Sequence, residues 1–186
     1  MKNRKRNRMI GYDYSKNGLY FVTICVKDRI CCFWAAQNGA SRDLPVQDGA
    51  IDGETDRATR ESPVYQSPGL KLNQFGFIVE SQIKWLANQY PYIEIHNYVV
   101  MPDHVHLIIE IDRSRVKDEE LKIKSLSSLI GALKTTSSKL IHGSGFENFV
   151  WQRSFHDSII RNSKAYYNIS RYIDLNPKKW IDKQIK

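Results

Sequence analysis

Hydrophobic positions change period several times along this chain. "GLYFVTICVKD" (18–28) is rich in Phe, Val, Thr and Ile and follows the turn signal "KNG", which predicts a strand. In "NQFGFIVESQIKWLANQY" (73–90), Phe75, Ile78, Val79, Ile83 and Leu86 recur near helical spacing, and Pro91 follows as a stop. "YIEIHNYVV" (92–100) and "HVHLIIEI" (104–111) read as strands joined through the turn "MPD" into a hairpin. "SLSSLIGALKTTSSKLI" (125–141) returns to a helical stripe, with Leu126, Leu129, Ile130, Leu133 and Leu140, and "GSG" breaks it. "FHDSIIR" (155–161) is a short strand. Ser163 is expected to cap a last helix, "KAYYNISRYIDL", ending near Asn176 because Pro177 disfavours helix in the residue before it.

The order strand, helix, strand, strand, helix, strand, plus one final helix is the split βαβ pattern. The expected fold class is therefore α+β, ferredoxin-like. Helices cover one face of an antiparallel sheet, and a C-terminal helix is added. One domain is expected over residues 1–186, interrupted by a polar insertion at about 35–70 that is too poor in apolar residues to be a domain itself.

Composition agrees and adds charge. The 186 residues are 41% hydrophobic, enough for one core. No apolar stretch approaches ~20 residues, so no membrane span is expected. The basic opening "MKNRKRNRMIGYDY" lacks the apolar run of a secretory signal. Cys25, Cys31 and Cys32 have no metal or disulfide spacing, and read as reduced thiols of a cytosolic protein. The net charge is +8; residues 35–68 carry six acids and three bases, or −3, which leaves +11 for the rest. A basic body of this kind attracts polyanions, nucleic acid first.

The candidate chemistry lies in "YVVMPDHVHLIIEI". In a strand, residues i and i+2 share a face, so His104 and His106 project side by side, ~7 Å apart along the chain, while Val105, Leu107 and Ile109 face an apolar layer. Two neutral imidazoles so placed can converge on one divalent cation. A half-exposed strand with two incidental histidines would show the same pattern. His96, His142 and His156 stand alone and read as surface or core residues. The final helix offers further donors, since Tyr172 and Asn176 stand at i and i+4, next to a buried stripe of Tyr166, Ile169 and Ile173. An ordinary packed amphipathic tyrosine remains the alternative for Tyr172.

Four segments, "GYDYSKNGLYFVTICVKDR", "VVMPDHVHLII", "WQRSFHDSIIRN" and "YIDLNP", resemble the HUH-type single-tyrosine transposases, especially the REP-associated tyrosine transposases. The resemblance covers most of the chain outside residues 35–68. It implies Tyr172 as nucleophile, His104 and His106 as the His-hydrophobe-His metal motif, and Asn176 as a third ligand. Asp103 departs from the Asn often found before the first histidine. The implied activity is cleavage and rejoining of single-stranded DNA at hairpin ends through a 5′-phosphotyrosine, with Mg²⁺ or Mn²⁺ as cofactor. Arg153, Arg161, Lys178 and Lys179 would then contact phosphates, and Trp151 or Phe155 would stack on a base unless they belong to the core. The expected setting is bacterial cytoplasm, on the nucleoid, as monomer or homodimer. The competing expectations are a non-catalytic ferredoxin-like nucleic-acid binder and a hydrolytic metal phosphodiesterase.

Overall fold

The computed structural model describes residues 12–35, 71–118 and 120–184. The 35–70 insertion, apart from Ala35, and the basic opening residues 1–11 therefore lie outside the described residues.

Four strands, β1 (Gly18–Cys25), β2 (Ile93–Val100), β3 (His104–Ile111) and β4 (His156–Ile160), form one antiparallel sheet in the order β2-β3-β1-β4. Helix α1 (Gln74–Gln89) joins β1 to β2, α2 (Leu126–Gly143) joins β3 to β4, and α3 (Ser163–Gln184) ends the chain. This is the split βαβ topology that the element order predicts. Among the described residues, no helix is long and apolar enough to cross a membrane.

Alternation sorts each strand onto two faces. Tyr20, Val22 and Ile24 of β1 and Val105, Leu107 and Ile109 of β3 meet Val79, Ile83 and Leu86 of α1 and Leu129, Ile130 and Leu133 of α2 in the main core, all with at most 1% exposure. Each helix starts where a side chain supplies its missing acceptors. Asn73 accepts from the amides of Phe75 and Gly76, and Ser125 accepts from that of Ser128. At Gly76, a Cβ would lie 2.3 Å from the carbonyl oxygen of Phe33, so only glycine lets α1 dock here.

The opposite face carries Leu19, Phe21, Val99, Ile108 and Ile160, and α3 lies over it through Ala165, Tyr166, Ile169 and Ile173. A register shift between Ile95 and Asn97 makes this docking possible. Strict alternation would put Asn97 on the same face as Ile93 and Ile95, in the main core. The irregularity instead pairs Asn97 with Ile108, on the α3 face. There its amide donates to the Ser170 hydroxyl and to Asp174 at 2.8 Å each, and to the Ser170 carbonyl at 3.4 Å.

Three sequence expectations need correction. The first strand stops at Cys25 rather than running to residue 28, because Asp28 and Arg29 take left-handed conformations (φ 55° and 57°) in a short 3-10 turn. Asn162 rather than Ser163 caps α3, accepting from the Ala165 amide at 2.8 Å. Most consequentially, α3 does not end near Asn176; it runs through Pro177 to Gln184. Proline removes one intrahelical bond. In compensation, the added turns place Trp180 edge-on against Trp34, with ring centroids 5.1 Å apart.

Candidate active site

The turn before His104 is unusually well held. Its residues, Met101, Pro102 and Asp103, are buried. The segment after β1 wraps it with backbone bonds: the Val26 amide donates to the Asp103 carbonyl, and those of Cys32 and Phe33 to the Pro102 carbonyl. The Met101 amide closes the hairpin on the His104 carbonyl at 2.8 Å. β3 thus begins at a fixed point, and its first and third side chains inherit that precision.

The strand face that carries the histidine pair is not open to water. α3 covers that face, and His104 and His106 are only 8% and 5% exposed. Their Nε2 atoms converge to 3.1 Å. Each Nδ1 has its own partner on the far side of the ring. The Asp103 carboxylate accepts from His104 Nδ1–H at 2.5 Å, and the Thr23 hydroxyl lies 2.8 Å from His106 Nδ1. Asp103 is in turn paired with Arg29, Nε to Oδ2 at 2.7 Å. Burial alone would raise the Asp103 pKa, but the His104 hydrogen bond and the Arg29 charge outweigh it and hold the carboxyl below its usual range. Asp103 therefore stays ionised and fixes His104 in the tautomer whose Nε2 carries a lone pair. Burial, and next the neighbouring His104, push His106 down to about 3, so its ring is neutral at physiological pH.

Two imidazoles with converging Nε2 atoms and anchored Nδ1 atoms are a donor set that fits a divalent cation. Ligands 3.1 Å apart subtend about 95° at an ion ~2.1 Å from each, close to a cis octahedral pair.

Tyr172 completes the cluster from α3. Its hydroxyl lies 3.3 Å from His106 Nε2 in the same chain. Phe21 stacks on His106 (centroids 5.4 Å, 28°) and meets Tyr172 edge-on at 6.1 Å. The tyrosine is nevertheless 42% exposed, so the residue borders both the histidines and solvent. Asn176 sits one turn further along α3 and is partly buried. Lys178 and Lys179 are exposed on the continued helix rather than in a tail beyond it, and Arg153 and Arg161 are exposed near the two ends of β4. Trp151 is a correction to the DNA-contact expectation. It is 6% exposed in the main core and its indole N–H donates to Ser137 at 3.0 Å, which leaves no face for a base.

Two features escaped the sequence reading. His156 pairs with Thr23, and Thr23 pairs with His106, so the three side chains form one cross-strand row on the α3 face. Only strand register could reveal this. Glu94, His96 and Glu110 bring potential ligand atoms within 4.8 Å of one another. The Arg115 guanidinium already contacts both glutamates and Asp112, so this group reads as an ion-pair network centred on one arginine.

Residues 78–176 match the family described as "Transposase IS200 like". An uncharacterized protein of Haemophilus influenzae is 27% identical over 195 residues, spanning 98% of this chain and 92% of that protein. Among solved structures, a REP-associated tyrosine transposase bound to a REP hairpin superposes with a TM-score of 0.52 at 22% identity, covering 96% of this chain and 74% of that one. At that identity the likeness establishes a shared fold.

Proposed function

Because the chain belongs to the IS200-like transposase family, we propose that it breaks and rejoins single-stranded DNA at hairpin ends through a covalent bond to Tyr172. The observation that carries this reading is the 3.3 Å approach of the Tyr172 hydroxyl to His106, beside two converging imidazoles of the same chain. The family supports action on DNA; the hairpin, the metal and the residue roles are this proposal's own.

In the proposed reaction the phenol loses its proton to solvent, to which Tyr172 is open. Tyr172 Oη attacks the scissile phosphorus, and the bond to the 3′-oxygen breaks. The products are a 5′-phosphotyrosine and a free 3′-OH. A second 3′-OH reverses the step, so the phosphodiester is conserved, which attack by water would not allow. His104 and His106 would hold Mg²⁺ or Mn²⁺, with Asn176 as third donor. When bound, the cation supplies charge withdrawal from the non-bridging oxygens and stabilises the leaving oxygen. Phe21 and the α3 anchors at Asn97 keep the phenol from swinging away. Lys178, Lys179, Arg153 and Arg161 bind backbone phosphates, and the protein works on chromosomal DNA in the cytoplasm.

The test is incubation with a hairpin oligonucleotide and Mn²⁺, followed by denaturing electrophoresis. A protein–DNA adduct should survive SDS in the wild type and vanish in Tyr172→Phe, with affinity kept within about two-fold. Cutting without an adduct, undiminished in Tyr172→Phe, would mean hydrolysis instead.

A further inference from the structure

The α3 face holds more than the histidine cluster. Where α3 begins, a cavity of about 350 Å³ opens beside Leu19, His96, Ile160, Arg161, Tyr166 and Tyr167. Apart from Arg161, its lining residues have no part in the proposed reaction. Resting on that reaction, we propose that it is a slot for one unpaired base of the DNA single strand, one or two nucleotides from the phosphate that Tyr172 attacks.

Four observations carry this. First, cavity and cluster share one continuous floor. Leu19 and Ile160 pack with Phe21, Ile108 and Ile173, and Phe21 stacks on His106. Second, the separation suits a nucleic-acid strand. Leu19 pairs with Glu110 and Ile160 in one row, and Thr23 pairs with His106 and His156 in another. The two rows are four residues apart, or ~13 Å. Along α3, Tyr167 precedes Tyr172 by five residues, or ~7.5 Å. A single strand leaving the scissile phosphate crosses that gap within one or two nucleotides.

Third, the lining has the chemistry of a base site. Tyr167 is 70% exposed, more than any other large hydrophobic side chain among the described residues, and its ring meets Tyr166 edge-on at 5.6 Å. An aromatic ring left in water beside a cavity is a stacking platform. Asn162 also lines the cavity, and while its Oδ1 caps α3 its side-chain NH2 can bond a base edge. Arg161 brings positive charge for the adjoining phosphate. The glutamates behind His96 are drawn to Arg115 rather than into the cavity, which leaves Arg161 as the charged side chain of the lining. Fourth, the volume lies at the small end of ligand clefts, which suits one base rather than two.

The experiment separates this slot from the nucleophile assignment. Affinity is measured by fluorescence anisotropy with Tyr172→Phe protein, in Mn²⁺, on hairpins carrying a single abasic site at successive positions of the single-stranded flank. One position within two nucleotides of the scissile phosphate should weaken binding roughly 5- to 150-fold. Adding Tyr167→Ala should weaken binding to the intact hairpin by a similar factor and abolish sensitivity at that position. Circular dichroism checks the fold, and Arg161→Gln serves as a second variant that should lower the salt dependence by about one phosphate contact. Unchanged affinity on Tyr167→Ala, or a full abasic penalty that persists in it, overturns the slot. A wild-type adduct together with either result leaves the nucleophile reading standing. A Tyr167-dependent abasic penalty without any adduct sinks the nucleophile reading and keeps the slot.

Discussion

Asp103→Asn removes one charge from behind the metal-binding pair and changes little else in shape. In the wild type, Oδ1 accepts from His104 Nδ1–H at 2.5 Å and Oδ2 takes Arg29 Nε at 2.7 Å. Both partners are donors, and a carboxylate satisfies both. An amide offers one acceptor and one donor, so one of the two contacts becomes donor against donor. The loss falls on the tautomer lock and on the basicity of His104, the properties that second partners of metal-bound histidines control. Such changes weaken metal affinity about 10- to 100-fold, or ~1.4–2.7 kcal/mol. The assay is titration of the metal-free protein with Mn²⁺, reading free Mn²⁺ by electron paramagnetic resonance at pH 7. Arg29→Gln should lie between wild type and Asp103→Asn, because Arg29 is half exposed and only steadies the carboxylate. Asp103→Asn binding Mn²⁺ within two-fold of wild type, while His104→Ala loses it, would refute the argument.

Three further expectations follow from the same geometry. Tyr172 lies against a histidine of its own chain, so a mixture of Tyr172→Phe and His106→Gln proteins should form no more adduct than either alone; restored adduct would mean helices exchanged between subunits. Asn97→Ala loses the bonds to Ser170 and Asp174, and should cost about 1–3 kcal/mol in urea unfolding and slow adduct formation while leaving hairpin affinity unchanged; an unaltered rate would remove Asn97 from the positioning of Tyr172. Burial and the neighbouring His104 lower the His106 pKa from 6.5 to about 3. The unfolded chain takes a proton there that the folded protein refuses, so this stabilisation is complete above about pH 6.5 and fades as pH falls towards 3. The ceiling is roughly 4–5 kcal/mol. In EDTA, His106→Leu should show a shallower loss of urea stability between pH 6.5 and 4 than wild type, and equal slopes would contradict it.

The sequence by itself determined the order of elements, the two-faced strands and the convergence of His104 with His106. These follow from local rules, since period 2 and period 3.6 are written in neighbouring residues. It also placed Tyr172 beside the buried stripe of Ile169 and Ile173, because an amphipathic helix declares its own inner face. Other features depended on residues far apart in sequence. The reach of α3 beyond Pro177 was decided by Trp34 meeting Trp180, a contact across more than a hundred residues that outweighs a local helix stop. The face shown by Asn97 was decided by an irregularity in the pairing of β2 with β3, which alternation cannot foresee. Trp151 resembled a stacking residue until Ser137 and the core claimed it. The support behind the histidines, Arg29 to Asp103 to His104 and Thr23 to His106, links segments about 75 to 85 residues apart. Side chains learn their partners only when strands take register and helices dock, which is why tertiary structure alone turned a pair of histidines into a site.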